Sequence, residues 1–186
     1  MILIINTCSE EMHYLEFVQP IIDIVKSAGA QFAVAHYTQL TSIAAARADK
    51  IIICGTSLHD FGYQAYLERF VFLQSYDKPV LGICAGMQII AQTFGCTLTD
   101  GREIGMKTAL FEKEFLGIAA GESREIYCLH KKIIADDLTL KKQFIVCAKT
   151  EPGYVQAIRH KEKSFFGILF HPEVRNKDVI THFVSL

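Results

Sequence analysis

The sequence predicts an α/β fold: a mostly parallel central sheet flanked by helices, with a small antiparallel section attached. Three observations carry that expectation. Runs of branched apolar residues alternate with segments of helical periodicity through the first half of the chain. Consecutive strand-like runs with short turns between them fill most of the second half. No internal repeat, low-complexity tract or linker rich in Pro, Gly or Ser interrupts the 186 residues, so residues 1–186 are expected to form one domain.

Residues 1–6 (MILIIN) are the continuous apolar run expected of a strand buried on both faces. Residues 10–28 carry Leu15, Val18, Ile21, Ile22 and Val25 at helical spacing, and Gly29 is a natural stop. Residues 31–36 and 51–54 read as the second and third strands. A helix is expected over 63–74, with Tyr66, Leu67, Phe70 and Leu73 on one face. Residues 79–84 (PVLGIC) form another short buried strand, followed by a helix over 86–94 that Gly95 closes. Strands at 126–129, 144–148, 154–159 and 165–170 supply the antiparallel part, with a turn at Glu151-Pro152-Gly153. The segment from Gly101 to Gly105 fits either a strand or a turn beside an edge. A closing helix is expected over 177–184.

Composition excludes several classes of function. With 51% hydrophobic and 21% charged residues the chain is globular rather than disordered. Nineteen basic residues against twenty acidic ones leave no electrostatic footprint for nucleic acid or an anionic membrane surface. No stretch is apolar for long enough to span a bilayer, and the N-terminus lacks the basic leader and cleavage site of a signal peptide. The six cysteines show neither CxxC pairing nor zinc spacing. They are expected to be reduced thiols in a cytoplasmic protein that needs no metal. Met87, Ile89 and Ile90 are expected in the core. His13, His36, His59, His160 and His182 show no ligand spacing and suit surface or capping roles.

One cysteine stands apart. Gly82-Ile83-Cys84-Ala85-Gly86 places Cys84 where a buried strand ends and a helix begins, with glycine two positions away on either side. This has the logic of a nucleophile elbow: the sharp turn lifts the side chain above the sheet edge, and the glycines admit backbone without Cβ clashes. The helix N-terminus favours a thiolate there, and the Ala85 N–H can stabilise an oxyanion. The second element is Phe170-His171-Pro172-Glu173. If the chain stays extended, His171 and Glu173 point to the same side. A carboxylate beside an imidazole fixes its tautomer, so His171 can take a thiol proton and return it to a leaving amine.

These two segments resemble the class I, or triad, glutamine amidotransferases. PVLGICAGMQIIAQTFG is similar to that family's nucleophile segment, and AIRHKEKSFFGILFHPEV to its His/Glu segment, the latter most like the amidotransferase portion of GMP synthase. The resemblance implies the flavodoxin-like fold of that family, with Cys84, His171 and Glu173 as catalytic residues. It also implies that Gly55, Thr56, Ala85, Gln88 and His130 bind the substrate glutamine, and that no cofactor is needed. Ammonia released through a γ-glutamyl thioester would pass to a separate ATP-dependent synthetase, in GMP synthesis. Two segments depart from the family pattern. Cys54-Gly55-Thr56-Ser57 replaces a Gly-Gly-Pro type turn, and Lys131-Lys132 follows His130 where those relatives have Gly-Asp. The same residues would also suit a partner-independent cysteine hydrolase of γ-glutamyl compounds, or a regulatory homologue that binds without turnover.

Overall fold

A computed structural model describes all 186 residues. Five strands run parallel: β1 (Ile2–Asn6), β2 (Phe32–His36), β3 (Lys50–Ile53), β4 (Val80–Ile83) and β9 (Phe165–Ile168). Four more continue the sheet in antiparallel pairing: β5 (Leu98–Phe111), β6 (Ser123–Ile134), β7 (Phe144–Thr150) and β8 (Val155–His160). The order across the sheet is β2-β1-β3-β4-β9-β8-β7-β5-β6. This is the α/β class that the alternation of apolar runs and helices predicts.

Successive residues of the central strands face opposite layers. Ile2, Ile4, Ile52 and Leu81 pack with α1 (Glu11–Phe17), α2 (Gln19–Ser27) and α6 (Lys177–Ser185). Leu3, Ile5, Ile51, Ile53 and Val80 pack with α4 (Ala85–Thr93) and with a 3-10 segment, Gly62–Gln74. Met87, Ile89 and Ile90 lie in this second layer, as expected. Both faces of β1, β3, β4 and β9 are therefore covered, which is why these strands read as apolar runs, whereas the edge strand β2 is half-buried and exposes Val34.

Several boundaries differ from expectation for local reasons. The helix expected over 10–28 is two helices meeting at Val18; Pro20 cannot donate a helical hydrogen bond and takes a first-turn position of α2. Leu15 is consequently exposed rather than core-facing. Over 63–74 the backbone is 3-10 and breaks at Tyr66. Three residues per turn place Phe70 directly beneath Leu73, and both are fully buried. Two six-residue helices, α3 (Ser42–Arg47) and α5 (Leu138–Gln143), have no apolar repeat long enough to announce them; Thr41 and Asp137 cap them by accepting from Ala44 N and Leu140 N. Gly101–Gly105 proves to be strand, inside β5, where a register shift between Asp100 and Glu103 lets the ribbon bend.

That bend matters for the site. The β5–β6 ribbon curls back over the carboxyl ends of β4 and β9, so that Tyr127 O accepts from His171 N at 2.8 Å and Lys132 O accepts from the Gln88 side chain at 3.0 Å. No helix is long and apolar enough to cross a membrane.

Candidate active site

Cys84 sits between β4 and α4 with φ 48° and ψ −104°, a left-handed-side conformation that a non-glycine residue adopts only under constraint. The constraint is backbone packing. A Cβ on Gly82 would lie 2.4 Å from the carbonyl carbon of Gly86, and a Cβ on Gly86 would lie 2.2 Å from the carbonyl oxygen of Ile53. The two glycines flanking the elbow are thus the only residues that fit. Cys84 N donates to Ile168 O at 2.7 Å, locking the elbow to β9, and Gln88 N closes the first helical turn on Cys84 O at 3.1 Å. The N–H of Ala85, at the start of α4, lies ahead of the first intrahelical bond and is free for a ligand.

His171 follows β9 and is buried, its ring 5.3 Å from that of Phe17. Its Nδ1 meets Glu173 Oε1 at 2.7 Å, while Nε2 is left without a hydrogen-bond partner. The backbone does not stay extended through this pair, as the sequence suggested. Pro172 begins a turn in which Val174 N donates to His171 O at 3.2 Å; its fixed φ suits that position, and the two side chains meet across the turn. Burial alone would disfavour the imidazolium. Glu173 and the Cys84 thiolate outweigh it and hold the His171 ring well above the usual histidine range.

Gly55 lies between these groups. A Cβ there would come 2.8 Å from His171 Cε1 and 3.2 Å from Cys84 Cβ. Glycine at this position is therefore a matter of space, since neither Gly55 nor Thr56 has positive φ. The loop after β3 needs no second glycine for its conformation. Thr7 Oγ1 donates to the carbonyls of Cys54 and Gly55 (2.9 and 3.0 Å), whereas the N–H groups of Gly55 and Thr56 are taken by no backbone acceptor. Thr56 itself is buried and donates its hydroxyl to Asp60 Oδ2 at 2.7 Å.

A narrow cleft leads from Cys84 between the 56–63 loop and β6, bordered by Thr56, Phe61, Tyr63, Gln88, His130 and Lys131. Its cavity volume is about 10 Å³, room for about one water. Gln88 forms part of the wall with its amide engaged at both ends, Oε1 accepting from Tyr63 OH and Nε2 donating to Lys132 O. Burial pushes the Tyr63 hydroxyl far up, so it stays a donor. His130 borders the cleft, but its Nε2 faces Glu103 Oε2 at 3.2 Å in a buried polar cluster beneath β6. Gln156 Nε2 donates to the same carboxylate oxygen at 2.6 Å, and Cys128 Sγ contacts Gln156 Oε1.

The donor atoms of Glu103, Cys128 and His130 lie within 4.8 Å of one another, close enough to hold a cation. The Gln156 amide occupies one carboxylate oxygen, and burial pushes the Cys128 thiol up to about 12, whereas Glu103 Oε1 and both ring nitrogens of His130 have no hydrogen-bond partner. All six cysteines are free and buried; Cys54 neighbours the elbow, and burial holds its thiol well above the usual range. His36 and His160 serve as caps, their ring nitrogens accepting from Thr38 N and from Glu162 and Lys163 N.

Sequence reasoning brought Cys84, His171, Ala85 and Gly55 toward one point, and the fold assembles them there. Asp60 and Phe61 lie on a loop that carried no motif, Tyr63 opens the 3-10 segment, and Glu103 owes its partner to strand pairing. The chain matches the family Glutamine amidotransferase class-I over residues 13–185. It is 33% identical over 151 residues to a glutamine-hydrolyzing GMP synthase subunit of Methanococcoides burtonii, covering 78% of this chain and 75% of that one. The corresponding subunit of Methanosphaera stadtmanae is 34% identical over 104 residues, 54% of either chain. Among solved structures, a Thermoplasma acidophilum protein assigned as a GMP synthase subunit superposes with a TM-score of 0.85 at 20% identity, over 99% of this chain and 92% of that one. A glutamine amidotransferase from Thermotoga maritima gives 0.69 at 18% identity, over 92% and 75%. At these identities the structural likeness speaks for the fold.

Proposed function

Because the chain belongs to the class I glutamine amidotransferases, we propose that Cys84, His171 and Glu173 form its catalytic set and hydrolyse glutamine. The observation that carries this reading is the buried His171–Glu173 pair at 2.7 Å, which leaves His171 Nε2 unpartnered while the imidazole and the strained Cys84 both pack against Gly55. Cys84 as thiolate attacks the side-chain amide carbon. The developing oxyanion is met by the Ala85 N–H and by an N–H from Gly55 or Thr56. The protonated His171 gives its proton to the leaving nitrogen, and ammonia departs from a γ-glutamyl thioester. His171, now neutral, takes a proton from the water that attacks the thioester; the adduct collapses to glutamate and expels the Cys84 thiolate, restored beside the protonated His171. Glu173 holds the imidazole in the required tautomer throughout. No metal or organic cofactor enters these steps.

The similarity to glutamine-hydrolyzing subunits of GMP synthase supports a destination for the ammonia: a separate ATP-dependent synthetase that aminates xanthosine monophosphate, with residues 1–186 acting as one amidotransferase domain. The narrow cleft supports a site that opens when that partner docks. A glutaminase assay, alone and with a separately encoded GMP synthetase, tests the reading. Turnover that rises with the synthetase and disappears in Cys84→Ser is expected. Turnover that survives Cys84→Ser would overturn it, and activity indifferent to any synthetase would favour the partner-independent hydrolase.

A further inference from the structure

Lys131 borders the cleft in an unusual state for a lysine. It lines the cavity together with Phe61, and its ammonium rests over the Phe61 ring, 5.0 Å from the centroid, rather than on a carboxylate. The neighbouring charges are already engaged. Lys132 is bound to Asp100 at 2.8 Å. Asp60 accepts from Ser9 N, Ser9 Oγ, Thr56 Oγ1 and Gly62 N, which uses both of its oxygens. Lys131 is therefore the cation of this cleft that has no anionic partner.

From this arrangement we propose that Lys131 is the specificity residue for the α-carboxylate of the substrate, and that its contact with Phe61 closes the cleft until that carboxylate arrives. The proposal rests on the glutaminase reading above and deepens it. A substrate whose amide carbon sits at Cys84 carries its carboxylate carbon four bonds away, about 5 Å along the cleft. Phe61 and Lys131 line the same cleft as Cys84, so a substrate extended from the thiol can bring its carboxylate to them. Moving the ammonium from an aromatic face to a carboxylate exchanges a weak contact for a charge-assisted hydrogen bond. The same movement widens a passage that now admits about one water. Amides that lack a carboxylate at this distance cannot draw the lysine away, so the cleft rejects them.

The test follows Cys84 alkylation by a chloroketone analogue of glutamine, the thiolate displacing chloride, with mass spectrometry locating the label. L-Glutamine and its α-carboxamide derivative serve as protecting ligands, for the wild type, Lys131→Met and Lys131→Arg. Glutamine is expected to protect the wild type about tenfold better than the carboxamide, the size of one hydrogen bond to a charged group. Lys131→Met should bind the two alike, and Lys131→Arg should keep the preference. Unaltered protection by glutamine in Lys131→Met overturns the proposal, as does an Arg variant that loses the preference along with Met. Alkylation by iodoacetamide, which has no carboxylate, reports on the gate: it should be faster in Lys131→Met than in the wild type, and a slower rate counts against the closing contact. Failure of glutamine to protect even the wild-type thiol would instead remove the glutaminase reading on which the proposal stands.

Discussion

The two walls of the cleft are built differently. On the sheet side, Gly55, Cys84 and His171 are held by backbone: the Cys84 N–Ile168 O bond, the His171 N–Tyr127 O bond, and glycines at which a Cβ would strike main-chain atoms or the imidazole. On the opposite side, the 56–63 loop and the part of β6 beyond the Tyr127 backbone bond are tied across the cleft by side chains: Tyr63 to Gln88, Gln88 to Lys132, Thr56 to Asp60, and Lys131 to Phe61. Close-packed backbone offers few alternative arrangements, whereas side-chain contacts can be exchanged one at a time. The difference teaches a division of labour. The wall that holds Cys84 and His171 is rigid, and under the proposed function the facing wall, which would select and admit a ligand, is adjustable.

The largest expected effect strikes the rigid wall through its one ion pair. Glu173→Gln keeps the size of the side chain and removes the charge that opposes the burial of the His171 imidazolium. The folded-state pKa of His171 should fall. Since that pKa is raised in the wild type, the pair stabilises the fold fully below the unfolded value near 6.5, and the contribution is lost as pH rises through the folded pKa. In the variant this alkaline loss should flatten, while glutaminase turnover drops by roughly three orders of magnitude. A variant with near-normal turnover and an unchanged pH dependence of melting would show that the carboxylate is a bystander.

Next in size is Gly86→Ala. The added methyl group meets the Ile53 carbonyl, which belongs to a central strand and cannot step aside. Destabilisation of about 3 kcal/mol is expected, at the upper end for inserting one methyl group into a packed interior, and a denaturant titration measures it. A loss below about 1 kcal/mol would mean that this wall yields like an ordinary core.

The same contrast explains what was legible in the sequence. The elbow was, because Gly82, Cys84 and Gly86 are neighbours in the chain and their roles follow from local geometry. The His171–Glu173 pair was also legible, although the backbone turns at Pro172 where extension was expected. The central parallel strands announced themselves as apolar runs because both their faces are covered. The β5–β6 ribbon did so only in part, at residues 126–129: its register and curl decide that Glu103 meets His130 and that Lys132 O reaches Gln88, and such pairing is a property of two distant strands. Gln88 was expected to hold the substrate; its amide bridges Tyr63 and Lys132, an engagement that only the folded chain reveals. The loop after β3 likewise gave one glycine and no sign that Asp60 gathers four hydrogen bonds.

Asp60 gives the smallest predicted effect and the sharpest probe of the adjustable wall. Burial works against its charge, but hydrogen bonds from Ser9, Thr56 and Gly62 outweigh it and hold the carboxyl below the usual carboxylate range. Asp60→Asn places an amide N–H₂ where at least one of these donors now points. A loss of about 1–2 kcal/mol at pH 7 is expected from hydrogen bonds to a charged acceptor. Because the folded pKa is depressed, the wild-type advantage is present above the unfolded value near 3.9 and disappears as pH falls through the folded one. Thermal melts at neutral pH should therefore separate the two proteins, and melts taken progressively further into acid should bring them together. A gap that persists in acid would locate the loss in packing instead of charge. The geometry around Cys84 stays fixed by backbone in either case, so labelling of Cys84 by a small neutral reagent should change by less than about threefold, well under the tenfold step of one lost charged hydrogen bond. A much larger change would mean that the loop also positions the nucleophile, and that the two walls are not independent.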